Sequence, residues 1–274
     1  MGETLKRLLT AAVIVPFVLL AIFLDPTAYG VLAIAVIFGV GAQDEFIRMA
    51  LPVSDEDPAL RLRLTAAVLG VLVVVLPSLY TPGVALPPML ALSVLVSGMV
   101  VLSRRSQLEH AGRHFSVLLC SVLYAPTLMS VLPLLKDSGR AEWLTVALCM
   151  AFFSDTVAYF FGRAWGKRKL YPAVSPGKSW EGAFGGVVGS CLATCVVGSM
   201  WLLPDLPLSH AIPLGIFGSV AGQTGDLVES MLKRTFGVKD SGTILPGHGG
   251  LLDRIDALLF VAPVTYYYVA LVVV

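Results

Sequence analysis

Leu64-Thr65-Ala66-Ala67-Val68-Leu69-Gly70-Val71-Leu72-Val73-Val74-Val75-Leu76, continued through Tyr80, Ala85, Leu95 and Val101 to Ser103, is a run of 40 residues without one charge. A bilayer core takes about 20 apolar residues per helix. The run is therefore two spans, 64–80 and 84–103, parted by Pro77 and the Pro82–Pro88 stretch. The same pattern recurs outward, near 8–24, 28–42, 115–135, 142–162, 181–203, 210–232 and 252–274, with 28–42 short enough to tilt or re-enter. Composition agrees. Of 274 residues, 57% are hydrophobic and only 14% charged, with a mean hydropathy of +0.84. A soluble domain carries about 25% charged residues, so this chain has too little polar surface to coat a globule in water. The expected fold class is all-α: a polytopic membrane protein of about nine transmembrane helices. Residues 1–140 form an N-terminal region of about five spans, and 141–274 form the expected catalytic region.

Lys6 and Arg7 precede the apolar run Leu8–Leu24, which at 17 residues exceeds the roughly 7–15 of a signal-peptide core. No small-residue cleavage site follows Asp25-Pro26, so a retained first span is expected. The four cysteines all lie in apolar runs without CxxC spacing, which suits packing rather than a metal site.

Basic residues alternate from loop to loop. Seventeen of the 19 fall on one side, including Arg48, Arg61, Arg63, Arg104, Arg105 and Arg113, while Lys136 and Arg140 alone fall on the other. The excess marks the cytoplasmic side. It predicts a cytoplasmic amino terminus in a cell (inner) membrane, and it places the polar loops 163–180 and 233–252 on that face. Gly182/Gly186, Gly185/Gly189 and Gly218/Gly222 have the spacing of close helix packing. They serve internal contacts or permit a homodimer.

Acids within apolar helices are costly and mark function by default. Asp155 lies near the cytoplasmic end of the sixth span, Asp226 and Glu229 in the eighth, and Asp253 and Asp256 open the ninth. Asp226, Glu229 and Lys233 share one helical face, as do Asp253 and Asp256. Two acidic stripes suit a Mg²⁺ ion that keeps waters and leans on substrate phosphates; for Glu229, pairing with Lys233 is the alternative. Loop 163–180 carries Arg163, Lys167, Arg168, Lys169 and Lys178 and no acid before Glu181. That run suits a polyphosphate, although positive-inside signalling explains part of it. Ser175-Pro176-Gly177-Lys178-Ser179, with an expected Pro-Gly turn, ends like a Walker A loop. Pro172 stands where the first glycine belongs and no strand is expected before it, so a P-loop is rejected. Leu245-Pro246-Gly247-His248-Gly249-Gly250 reads as a turn whose N–H groups can approach an anion. His110 and His114 lack acidic company beyond Glu109 and are discounted.

These residues carry a resemblance. Ser230-Met231-Leu232-Lys233-Arg234, then Lys239-Asp240-Ser241-Gly242, then Pro246-Gly247-His248-Gly249-Gly250-Leu251-Leu252-Asp253-Arg254-Ile255-Asp256 resembles the signature of the CDP-diacylglycerol synthases, or phosphatidate cytidylyltransferases. Ser154-Asp155 with Ala158-Tyr159 and Gly162-Arg163, Ser175 to Gly182, and Gly225-Asp226-Leu227-Val228-Glu229-Ser230 are similar to further blocks of that family. The matching blocks span roughly 150–260; the first five spans agree in hydropathy alone.

The resemblance implies a reaction of CTP with phosphatidic acid, giving CDP-diacylglycerol and pyrophosphate at the membrane surface. It also implies a metal centre of two aspartates, carried onto Asp226 and Asp253. Mg²⁺ is the expected ion, with K⁺ a candidate beside it, and Asp256 is a further ligand candidate. In this reading Asp226, Asp253, Lys233 and Asp256 are catalytic. Ser175 and Lys178, with Arg163 and Lys167 of the same basic run, hold CTP phosphates. Lys233, Arg234 and Lys239 meet phosphatidate or pyrophosphate, His248 orients a phosphate or the cytosine, and Asp155 tunes the basic cluster or assists the metal. The expected partners are the two substrates and the bilayer, with no nucleic acid. The rivals are a cytidylyltransferase for an isoprenoid or archaeal lipid phosphate and, from another class, an ion-coupled transporter. The CDP-alcohol phosphotransferases are set aside because their motif opens with Asp-Gly, a dipeptide absent from this chain.

Overall fold

The structure is a computed structural model and describes residues 16–25, 27–51, 58–103, 108–137, 141–244 and 249–273. After a helical stretch at 16–23 come α1 (Tyr29–Ala50), α2 (Pro58–Leu79), α3 (Pro82–Leu102), α4 (Leu108–Met129), α5 (Val131–Asp137) and α6 (Glu142–Trp165). A hairpin of β1 (Lys169–Tyr171) and β2 (Ser175–Ser179) precedes α7 (Trp180–Leu192), α8 (Leu208–Thr235) and α9 (Leu252–Tyr268). Helix α7 continues in π geometry over Ala193–Leu202, as does α9 over Val269–Val273. Among the described residues, seven helical segments are long and apolar enough to cross a membrane. The protein is an all-α, multi-pass membrane protein.

Three expectations change in detail. The span 28–42 is neither short nor re-entrant: α1 has 22 residues and carries Gln43, Asp44 and Glu45 in its last two turns. The expected eighth span is a 28-residue helix, α8, which is not among the seven because Gln223, Asp226, Glu229, Lys233 and Arg234 dilute its apolar surface. Most of 8–24 lies outside the described residues. Finally, loop 163–180 contains an antiparallel hairpin, with Lys169 opposite Ser179 and Tyr171 opposite Ser175. Pro176-Gly177 sits inside β2 rather than in a turn; the reversal is at Pro172–Val174, closed by the Val174 N–H donating to the Tyr171 carbonyl (3.2 Å). A proline is tolerated in such a strand because an edge need not donate there. The Walker-like residues are thus a strand, not a phosphate loop.

The described residues form two compact units, one of residues up to Leu134 with Val238–Arg254, the other of Leu135–Gly237 with Ile255 onward. In the first, Leu69, Val73 and Val122 make a buried cluster against which Met89, Leu92 and Val96 pack, so α2, α3 and α4 share one core. In the second, glycines let helices meet almost backbone to backbone. A Cβ at Gly185 would strike the Phe161 ring, and one at Gly189 the Phe153 carbonyl and Val157, both on α6. Gly218 faces Met150, and Gly222 and Gly225 face α9 at Val261 and Asp256. Internal packing therefore accounts for both glycine stripes.

Candidate active site

In the second unit, α6, the hairpin, α7 and α8 enclose a cleft of about 620 Å³. Helix α6 contributes Asp155, Tyr159 and Arg163; β2 contributes Lys178; α8 contributes Gln223 and Asp226. The hairpin is held in place by its ends. Ser179 caps α7, its Oγ accepting from the Gly182 N–H at 3.1 Å. The Glu181 carboxylate accepts from the Lys167 N–H (3.1 Å) and the Arg168 N–H (3.2 Å), fixing the link from α6 to β1. At the turn, Arg234 Nε donates to the Val174 carbonyl at 3.4 Å.

Inside the cleft, Lys178 Nζ stands 2.5 Å from Asp226 Oδ2, with both side chains about a quarter exposed. Asp155 and Asp256 both feel the charges of Asp226 and Lys178, so three carboxylates and one ammonium interact in a small volume. Below them is a polar relay. Gln223 Nε2 donates to the Ala183 carbonyl (3.0 Å) and to Ser219 Oγ (2.8 Å), and Ser219 Oγ lies 3.0 Å from Ser154 Oγ. Arg163 donates to the Tyr159 hydroxyl at 2.9 Å.

The cleft thus brings together Asp155, Arg163, Lys178 and Asp226. Ser175 and the exposed Lys167 lie outside its lining. Lys233 is engaged with Glu229 at 2.6 Å, the latter's side chain 2% exposed, so the ion-pair alternative for Glu229 is the one realised. Lys239 and Asp253 belong to the first unit, and His248 lies outside the described residues. Asp253 Oδ2 accepts from Ser241 N, Ser241 Oγ and Gly250 N, each at 2.9 Å.

Among the described residues, no three His, Cys, Asp or Glu side chains converge closely enough to hold an ion unaided. A Mg²⁺ ion takes one or two carboxylates and completes its shell with water and phosphate; Asp226, with Asp155 and Asp256 near enough to feel its charge, offers carboxylate donors of that kind.

A sequence profile described as the cytidylyltransferase family matches residues 5–272. The chain belongs to the cytidylyltransferase family. Among its relatives, a phosphatidate cytidylyltransferase of Thermotoga maritima is 34% identical over 97% of this chain and 96% of its own length. One of Bacillus subtilis is 45% identical over 49% of this chain and 50% of its own length. The uncharacterized protein YnbB of Escherichia coli is 43% identical over 51% of this chain and 46% of its own length. The chain therefore spans about half the length of the latter two relatives.

Residues of this family member that sequence reasoning passed over are Gln223, Ser219 and, in the first unit, Glu45; Tyr159 is noted there only as part of a motif block. Glu45 carried a usable signal, being an acid inside an apolar helix. Ending the second span at residue 42 moved it into a loop on paper.

Proposed function

We propose that this chain transfers a cytidylyl group from CTP to phosphatidic acid, yielding CDP-diacylglycerol and pyrophosphate for phospholipid biosynthesis. The observation that carries the proposal is the cleft where Lys178 meets Asp226 at the polar ends of apolar helices. A phosphate oxygen of the lipid attacks the α-phosphorus of CTP, the bond to the β-phosphate oxygen breaks, and pyrophosphate leaves with that electron pair. Both reactants are polyanions, so the protein's work is in-line positioning and charge neutralisation.

Lys178 and Arg163, which line the cleft, would hold phosphates there. Ser175, Lys167, Lys233, Arg234, Lys239 and His248 are proposed as outer substrate contacts. Asp155 and Asp256 are near enough to feel the charge of Asp226, and together the three would favour a cation. Mg²⁺, with K⁺ a candidate second ion, would be held by Asp226 and, on the family pattern, Asp253. When bound it would neutralise charge on the transferring phosphate. The basic-residue asymmetry supports a cell-membrane location with the cleft facing the cytoplasm.

Pyrophosphate release by the purified protein in detergent should require CTP, phosphatidic acid and Mg²⁺ together. Asp226→Asn should lower it at least about 100-fold, the scale on which loss of a transition-state charge partner acts. Undiminished release by that variant would refute the assignment of the cleft. No release with phosphatidic acid, but release with an isoprenoid lipid phosphate, would change the substrate.

A further inference from the structure

Glu45, in α1, is 1% exposed. A buried carboxylate is tolerated only when its oxygens are satisfied, and among the described residues no Lys or Arg pairs with this one. Its partners come instead from the 238–254 segment of the same unit. The Leu251 N–H donates to Oε1, and the Leu252 N–H and Ser241 Oγ donate to Oε2, each at 2.9 Å. Leu252 opens α9, so Glu45 supplies, from 207 residues away in sequence, the acceptor that the first N–H groups of a helix lack. The neighbours are shaped around it: a Cβ on Gly242 or Gly250 would run into the Glu45 carboxylate, and one on Gly41 into Leu251.

Ser241 then carries the constraint to Asp253. Its Oγ stands 2.9 Å from Glu45 Oε2 and 2.9 Å from Asp253 Oδ2. A hydroxyl has one proton to donate, so the two acids share it and a shift of one is felt by the other.

We infer that Glu45 is a positioning residue, holding Ser241 and Leu251–Leu252 so that the Asp253 carboxylate is presented in a fixed place. Its kinetic side rests on the proposed cytidylyl transfer; its structural side does not. Adjacent Asp44 pairs with Arg48 and Arg63 near the surface and serves as the control.

Hydrogen exchange and steady-state kinetics of the full chain in detergent test the assignment. In Glu45→Gln, the amides of Ser241 and of residues 250–253 should exchange about 10- to 100-fold faster, as loss of a charge-assisted bond implies. In the same variant kcat should fall about 100-fold, as expected for a displaced catalytic group, with KM for CTP within about 3-fold, the pattern of a group used in the transition state. Ser241→Ala, which keeps both backbone bonds to Glu45, should reproduce the kcat loss, and Asp44→Asn should change neither readout. Wild-type exchange in Glu45→Gln would overturn the inference. So would a fully active Ser241→Ala, or loss of protection along the whole of 29–50, which would mark Glu45 as a general stability residue. A wild-type protein inert toward CTP and phosphatidate would refute the activity instead; the exchange arm alone would then decide the clamp.

Discussion

Lys178 and Asp226 neutralise each other across 2.5 Å, and under the proposed function phosphates and a cation would take the place of that pairing. Glu229 and Lys233, further along α8, are more buried: their side chains are 2% and 14% exposed, and each answers the other's charge. Removing one partner of a buried pair strands the other, at a cost of about 3–5 kcal/mol, whereas replacing both with apolar groups is often neutral. Glu229→Ala should therefore lower the thermal midpoint in detergent sharply, and Glu229→Leu combined with Lys233→Met should recover most of it. A single variant as stable as wild type would remove the pair from the stabilising set. The acids of α8 were legible in the sequence because charge inside an apolar helix is rare. Which acid pairs with which lysine was not, since i, i+3 and i+7 spacing puts Asp226, Glu229 and Lys233 on one face without saying which of them meet.

Among elements, the meeting of α6 and α7 depends on absent side chains. A Cβ at Gly189 would press on the Phe153 carbonyl and lie 2.8 Å from Val157 Cβ, and backbone cannot yield as a flexible side chain can. Gly189→Val should cost at least about 1–3 kcal/mol, the range for overpacking, visible as a lower unfolding midpoint. Gly112→Ala, at a helical position with open space around it, should be neutral or slightly stabilising. The glycine spacing announced this packing in advance. The hairpin was not announced: strands of three and five residues are too short for alternation to register, and Pro176-Gly177 reads locally as a turn. The tie through Glu181 and the Arg234 bond to the Val174 carbonyl help to hold those residues as a strand, and both join residues well apart in sequence.

For the whole molecule, hydropathy alone conveyed the class, because no soluble arrangement can hide so many apolar side chains. The helix boundaries were less legible where polar residues occur inside a helix, as at Gln43–Glu45 and along α8. The proposed orientation rests on the side on which Lys and Arg collect. With the four native cysteines replaced by alanine, Lys167→Cys should react with an impermeant thiol reagent in inside-out vesicles and not in intact cells. Labelling from outside the cell would reverse the proposed topology.

The contact between Glu45 and Leu251, 206 residues apart in sequence, also has a meaning in time. Ribosomes add about 5–20 residues per second, so α1 is made roughly 10–40 s before the donors that will satisfy its acid. During that interval Glu45 has only water, lipid headgroups or the insertion machinery to answer it. The bonds from Ser241, Leu251 and Leu252 to Glu45 can form only after the later segment emerges from the ribosome. The final seating of this acid is an event of late synthesis, and a stalled or slowed chain leaves it exposed for as long as the delay lasts.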